Sequence, residues 1–214
     1  MIRTSVDVAT RKPGQVPREV TALGDKVRRG LDQADRLLES FLMLARAERG
    51  SLRQQTDVRL VPLVTAALED HRDAIAEKGL TVEQTLEQVE VAGSEALLAR
   101  MVENLIDNAI RHNEPGGWMS AGTSLNGGDA QLRVESGGPQ LDERQVRELA
   151  QPFRRLAGER TGSDNGVGLG LSIVAAIVAA HDGSLELHAR PEGGLRVTIG
   201  LPKGAAPRAG GGQR

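Results

Sequence analysis

The sequence predicts an α+β fold: a mixed, mostly antiparallel sheet with helices on one face, preceded by a helical hairpin. Three observations carry that expectation. Short alternating runs at 80–86, 118–123, 130–135, 184–190 and 195–201 read as strands, two pairs of them as hairpins. Helical apolar spacing recurs between them, at 62–77, 94–112 and 169–181. Ahead of all of these, residues 17–49 carry apolar side chains at Val20, Leu23, Val27, Leu31, Ala34, Leu38, Phe41 and Ala45, in steps of three or four. Such a seam sustained over more than three heptads belongs to a coiled coil or helical bundle.

The chain divides accordingly into a hairpin at 1–52, a second unit at 53–202 and a Gly/Ala-rich tail at 203–214 that is expected to be disordered. Residues 2–10 read as the end of one helix, closed by the Lys12-Pro13-Gly14 turn. So short a stub does not cover the seam of the long helix, which predicts a homodimer in which two hairpins form a four-helix bundle; the alternative is a core helix packed within one chain. In the second unit, Pro62 suits a first helical position, where its missing N–H costs nothing, and Gly79 stops that helix. A short strand is expected at 89–91. Ser94 is placed to cap the next helix, with Glu95 in its first turn. Asn126-Gly127-Gly128 is a strong hairpin turn. A short helix follows at 142–150, and 151–168 shows no periodicity.

Composition removes several function classes. The net charge of −2 gives no electrostatic case for nucleic acid, and aromatic residues at 1 % leave no stacking platform for single strands. The absence of cysteine excludes disulfides, thiol chemistry and Cys-based zinc sites. The longest apolar run, 173–180, is too short to cross a bilayer, and no signal peptide opens the chain, so a soluble, cytoplasmic piece is expected.

Three stretches carry chemistry. In "MVENLIDNAIRHN", Asn104, Asn108, Arg111 and His112 share one helix face, with Leu105, Ile106, Ala109 and Ile110 on the other. Two amides one turn apart can offer carbonyl oxygens to a hard cation such as Mg²⁺, and Arg111 a turn further can meet phosphate oxygens. By itself the pattern equally describes a solvated polar face. In "RVESGGPQL", Gly137 and Gly138 end a strand, either as an ordinary turn or to bring backbone close to a ligand. In "TGSDNGVGLGLSIV", Gly166, Gly168 and Gly170 precede a helix, so backbone N–H groups and the helix dipole can face an anion. No strand leads into these glycines and no Gly-Lys-Ser/Thr ending follows, which excludes the dinucleotide fingerprint and the Walker A loop.

In this order and spacing the three stretches resemble the catalytic part of a sensor histidine kinase of a two-component system. Residues 104–112 resemble that family's N box, 135–138 its G1 box, Pro152-Phe153-Arg154-Arg155 its F box, and Gly166-Val167-Gly168-Leu169-Gly170-Leu171 its G2 box. "FLMLARAERG" at 41–50 resembles the end of the second helix of the family's dimerisation and phosphotransfer domain. The resemblance implies a Bergerat-type two-layer α/β sandwich binding ATP and Mg²⁺ under a lid at about 151–168. It implies Asn108 as the Mg²⁺ ligand helped by Asn104, Arg111 near the phosphates and His112 beside the nucleotide. It also implies Phe153 as anchor of the lid, with Arg154 or Arg155 approaching phosphate, and backbone N–H groups of the Gly166–Gly170 stretch, Val167 and Leu169 included, facing the phosphates ahead of Leu171. Ser136 and Gly138 fall at the adenine side. The implied activity moves the ATP γ-phosphoryl group to a histidine, for relay to an aspartate of a response-regulator receiver domain.

Two departures stand out. The G1 position that normally holds Asp or Asn is Ser136 here, a shorter, uncharged hydroxyl. The phosphoacceptor pattern, His-Glu followed by Arg-Thr-Pro, is missing, and the first histidine is His71. A phosphoacceptor, sensor and membrane anchor are therefore expected upstream, making this chain the cytoplasmic portion of a membrane sensor that does not phosphorylate itself alone. His71, His181 and His188 read as surface or packing residues. The other functions considered are a Bergerat-fold ATPase or anti-sigma-type serine kinase, which would need a glutamate where Asn104 stands, and a non-catalytic dimerisation scaffold.

Overall fold

The computed structural model describes residues 56–143, 146, 149 and 170–204. The 1–52 hairpin with its dimer seam, and the residues from 205 onward, lie outside the described residues, as does the whole of the expected lid at 151–168.

The described chain runs β1 (Thr56–Arg59), α1 (Leu60–Asp70), α2 (Arg72–Lys78), β2 (Thr81–Leu86), β3 (Glu90–Gly93), α3 (Glu95–Arg111), β4 (Trp118–Asn126), β5 (Asp129–Ser136), α4 (Gly170–Ala180), β6 (Ser184–Ala189) and β7 (Leu195–Leu201). Five strands form one sheet in the order β2-β4-β5-β7-β6, parallel only between β2 and β4. That one parallel pair is why a whole helix, α3, separates its strands in sequence: parallel neighbours cannot be joined by a tight turn. The β4–β5 hairpin turns on Gly127 and Gly128, both at positive φ (+61° and +101°), with Asn126 opposite Asp129.

Period-two alternation decides which sheet face is covered. Met119, Ala121 and Thr123 of β4, Ala130, Leu132 and Val134 of β5, and Leu195, Val197, Ile199 and Leu201 of β7 are buried. Against them pack Leu98, Met101, Leu105 and Ile106 of α3, Val174, Ile177 and Val178 of α4, and Leu60 and Val64 of α1, all nearly or wholly inaccessible. Each such side chain contributes about 1.5–3 kcal/mol of transfer free energy. Residues on the other face, such as Arg133, Arg196, Glu186 and His188, are exposed. The two-layer, mostly antiparallel architecture is the one expected.

Five local expectations need correction. The single helix at 62–77 is two helices meeting at His71, whose φ of −101° and ψ of 10° leave the helical region. There both the backbone N–H and ring Nδ1 turn back to the Ala67 carbonyl (3.2 and 2.8 Å). Pro62 stands third in α1 rather than first, still among the N–H positions that lack an intrahelical acceptor. The short strand near 89–91 does not join the main sheet: β3 pairs antiparallel with β1, a strand the sequence reading lacked, as a separate ribbon. Ordered structure also passes residue 202, because Lys203 bridges Val91 and Gly204 N–H bonds the Glu90 carbonyl.

The fifth concerns Ser94. It sits at the N-cap of α3, but its side chain makes no capping bond. Its carbonyl accepts from Leu98 N–H at 2.9 Å, and its own N–H donates to His181 Nε2 at 3.1 Å.

Candidate functional site

The amides of α3 come first, because the helix that carries them is held at both ends. Along α3 the apolar positions Leu105, Ile106, Ala109 and Ile110 are buried, while Asn104, Asn108 and Arg111 are half-buried and His112 is exposed. At its C-terminus, Lys78 Nζ donates to the carbonyls of Ile110 and Arg111, both at 2.8 Å. These are orphan carbonyls of the last turn, and a cation there also matches the helix dipole. Nothing in the apolar periodicity signals this role for Lys78; its position one residue before the Gly79 stop is the only hint.

Asn104 is oriented by its own helix. Its Nδ2 donates to the Arg100 carbonyl at 2.7 Å, and since a carbonyl can only accept, the amide's oxygen and nitrogen are unambiguous. Oδ1 is left facing the start of α4: a Cβ built at Gly170 would lie 3.7 Å from it. α4 runs back along α3, so the half-buried amide oxygen and the first helical glycine meet. Leu171 beside it is buried in the core. Glu103, the residue next to Asn104, is held by Arg100 Nη1 at 3.0 Å on the helix exterior.

Arg111 is not a free fork. Its Nη1 lies 3.6 Å from Asp107 Oδ2 one turn back, and its Nε donates to His112 Nε2 at 3.4 Å. The Asp107 partner is about half exposed, so the pair is weak and exchangeable. No group of three or more His, Asp or Glu among the described residues could hold a metal ion. A cation here would rest on amide oxygens and on oxygens brought by a ligand.

The G1 stretch lies against the end of α3. Ser136 is buried on the helix-covered face of β5, opposite Met119 and Leu195. Gly138, at φ +146°, passes so near α3 that a Cβ there would stand 2.6 Å from the His112 carbonyl oxygen. Gly194, in the β6–β7 connection, is bound from the other side: its N–H donates to the Pro139 carbonyl at 2.9 Å, and a Cβ on it would overlap the Ser136 carbonyl. The closeness that Gly137-Gly138 suggested is thus a protein–protein one, a clasp of three segments.

Behind the clasp, on the other sheet face, Glu135 is a buried carboxylate held by Arg190 Nη1 and by Arg196 Nε at 2.9 Å. The Arg190 guanidinium also lies over the Trp118 ring, 4.5 Å from its centre. Buried Asn113 ties the loop after α3 to β4 by donating to the Trp118 carbonyl at 2.8 Å. These residues come from five separate segments, so no sequence spacing announces them. Of the remaining expected site residues, Phe153, Arg154, Arg155, Gly166, Val167, Gly168 and Leu169 lie outside the described residues.

Residues 93–205 match the family model described as histidine kinase-, DNA gyrase B- and HSP90-like ATPase. The sensor protein CutS of Streptomyces coelicolor is 37 % identical over 201 residues, covering 94 % of this chain and 48 % of CutS. The signal transduction histidine-protein kinase BaeS of Escherichia coli is 29 % identical over 169 residues, covering 78 % of this chain and 36 % of BaeS. The chain therefore spans half or less of the length of these relatives. Among solved structures, the mycobacterial sensor histidine kinase MprB is similar with a TM-score of 0.60 and 27 % identity, over 70 % of this chain and 97 % of that one. The Acinetobacter baumannii histidine kinase AdeS shares the fold, with a TM-score of 0.68 at 21 % identity over 95 % of this chain and 92 % of that one.

Proposed function

The chain belongs to the histidine kinase-, DNA gyrase B- and HSP90-like ATPase family, and on that premise we propose that it is the ATP-binding kinase region of a two-component sensor. Its role is to present the γ-phosphoryl group of ATP to a histidine, for relay to the aspartate of a response-regulator receiver domain. The observation that supports this most is the meeting of α3 and α4. Asn104 is turned by the Arg100 carbonyl so that its Oδ1 faces the glycine that opens α4, with Asn108 one turn further along. An oriented amide oxygen beside a helix start suits a Mg²⁺–polyphosphate and has little use in a solvated helix face.

Asn108 and Asn104 hold the Mg²⁺, which supplies charge neutralisation of the phosphates. Arg111 leaves its loose pair with Asp107 to meet phosphate oxygens, a change a half-exposed ion pair permits at small cost. Ser136 meets the base with a hydroxyl that both donates and accepts. Phe153, Arg154, Arg155 and the Gly166–Gly170 stretch act as lid and phosphate cradle. Catalysis is then positioning with charge compensation. The hydrolase reading is disfavoured because an amide, Asn104, stands where that chemistry needs a carboxylate base; Glu103, next to it in sequence, faces the helix exterior and pairs with Arg100.

The 1–52 hairpin serves as the dimerisation element. Among the described residues no helix is long and apolar enough to cross a membrane. The test is transfer in trans. With γ-labelled ATP and Mg²⁺, the 214-residue chain should label a separately supplied phosphoacceptor hairpin and leave itself unlabelled. ATP binding without any labelling of the hairpin removes the kinase assignment.

A further inference from the structure

His181 ends α4, the helix that opens at Gly170, and both nitrogens of its buried ring are engaged. Nδ1 donates to the Ile177 carbonyl at 2.8 Å, one turn back, and Nε2 accepts the Ser94 N–H at 3.1 Å. A carbonyl at one nitrogen and an N–H at the other suit only the neutral Nδ1–H tautomer. The ring lies against Gly93, where a Cβ would come within 2.7 Å of Nε2. We propose that His181 is a positioning residue: its bond to Ser94 sets the register of α4 on α3 and so places Gly170 beside Asn104.

The need for such a pin follows from the rest of the α3–α4 contact. Val174, Ile177 and Val178 of α4 are buried and apolar. Apolar contact is non-directional, so a small slide along the helix axes costs it less than it costs a hydrogen bond, whose geometry is steep. A hydrogen bond chooses. The lengths agree as well: eleven residues from Gly170 to His181 and ten from Ser94 to Asn104 are about 16 and 15 Å of helix. The pin at one end and the glycine–amide meeting at the other are therefore two ends of one ruled distance. A slide of one residue is about 1.5 Å, enough to spoil alignment at the far end.

The functional consequence rests on the ATP-binding reading above; the positional claim does not. Both are read on the full 214-residue chain, by amide exchange, by the ring ¹⁵N shifts of His181, and by titration with a non-hydrolysable ATP analogue and Mg²⁺. In the wild type, the Ser94 amide should be strongly protected, the ring should show the neutral Nδ1–H pattern, and a cross-peak should join the Asn104 amide to Gly170. His181→Phe keeps the ring volume without either nitrogen. It should expose Ser94 by about tenfold or more in exchange rate, lose the Asn104–Gly170 cross-peak and weaken nucleotide about fivefold or more. His181→Gln restores an acceptor and should recover most of both. An Nε2–H ring in the wild type overturns the proposal without any variant, which covers the case of an unfolded H181F. So does an H181F chain that keeps the cross-peak, or Gln and Phe variants equally impaired. A wild type that binds no nucleotide overturns the ATP reading alone, and the cross-peak still decides the register.

Discussion

Asn104 and Asn108 differ in how firmly each is oriented. Asn104 is anchored by its bond to the Arg100 carbonyl, so Asn104→Asp would set a carboxylate oxygen against that carbonyl and cost the site its orientation. Asn108→Ala should leave thermal stability within about 0.5 kcal/mol, since the side chain is only half-buried, yet weaken Mg²⁺–nucleotide binding about tenfold or more by calorimetry. Equal affinity in the variant removes Asn108 as a ligand. Gly194 carries the opposite kind of role. With φ at +89° and the Ser136 carbonyl where a Cβ would go, Gly194→Ala should lose about 2 kcal/mol or more in urea unfolding. Gly127→Asn, in a turn with open space, should cost less than about 1 kcal/mol. The shared placement of the two amides was legible because they lie four residues apart on one strongly periodic helix. The glycines of the 193–194 turn were not, because their need for a missing Cβ comes from a strand nearly sixty residues earlier in the chain.

Helix α3 shows how one element is made into a rigid carrier. Its two ends are held by side chains of other elements, Lys78 at the C-terminal carbonyls and His181 at the entry N–H, while its apolar face rests on the sheet. Lys78→Met keeps the aliphatic stem and removes the two bonds to Ile110 and Arg111. It should cost about 1–2 kcal/mol of stability and raise amide exchange selectively in the turn after Asn108. Uniform loss of protection along α3 would speak against an end-capping role. Elements with a strong period were readable: α3, α4 and both antiparallel hairpins stand within a few residues of where the pattern puts them. What escaped is tertiary. His71 bends α1 away from α2 through a bond to its own preceding turn, and Ser94, an apparently good cap, is satisfied through its backbone by a histidine from the far side of the chain. Local propensity proposes a cap; a buried partner with better geometry displaces it.

In the molecule as a whole, the α+β architecture was legible because alternating strands, turn glycines and helical periods all agreed; the parallel pairing of β2 with β4 was not, because β3, the strand next to α3 in sequence, is diverted to β1. The β1–β3 ribbon was not, since β1 is four residues with a single buried side chain, Val58. That ribbon has a further consequence for connectivity. Thr56 enters opposite Gly93, and Gly204 closes onto Glu90 on the same strand, close to Asp57. The 56–204 unit therefore begins and finishes at one spot, as a loop does. Joining residue 204 to residue 56 through a short glycine linker and reopening the chain between Gly127 and Gly128 should give a circular permutant with the same fold and nucleotide affinity as the parent 56–204 segment. A permutant that loses cooperative unfolding while the parent keeps it would mean that the order of synthesis matters to this topology. If it folds, the unit is a cassette that can be set into another chain at a single surface point, with its nucleotide chemistry carried along intact.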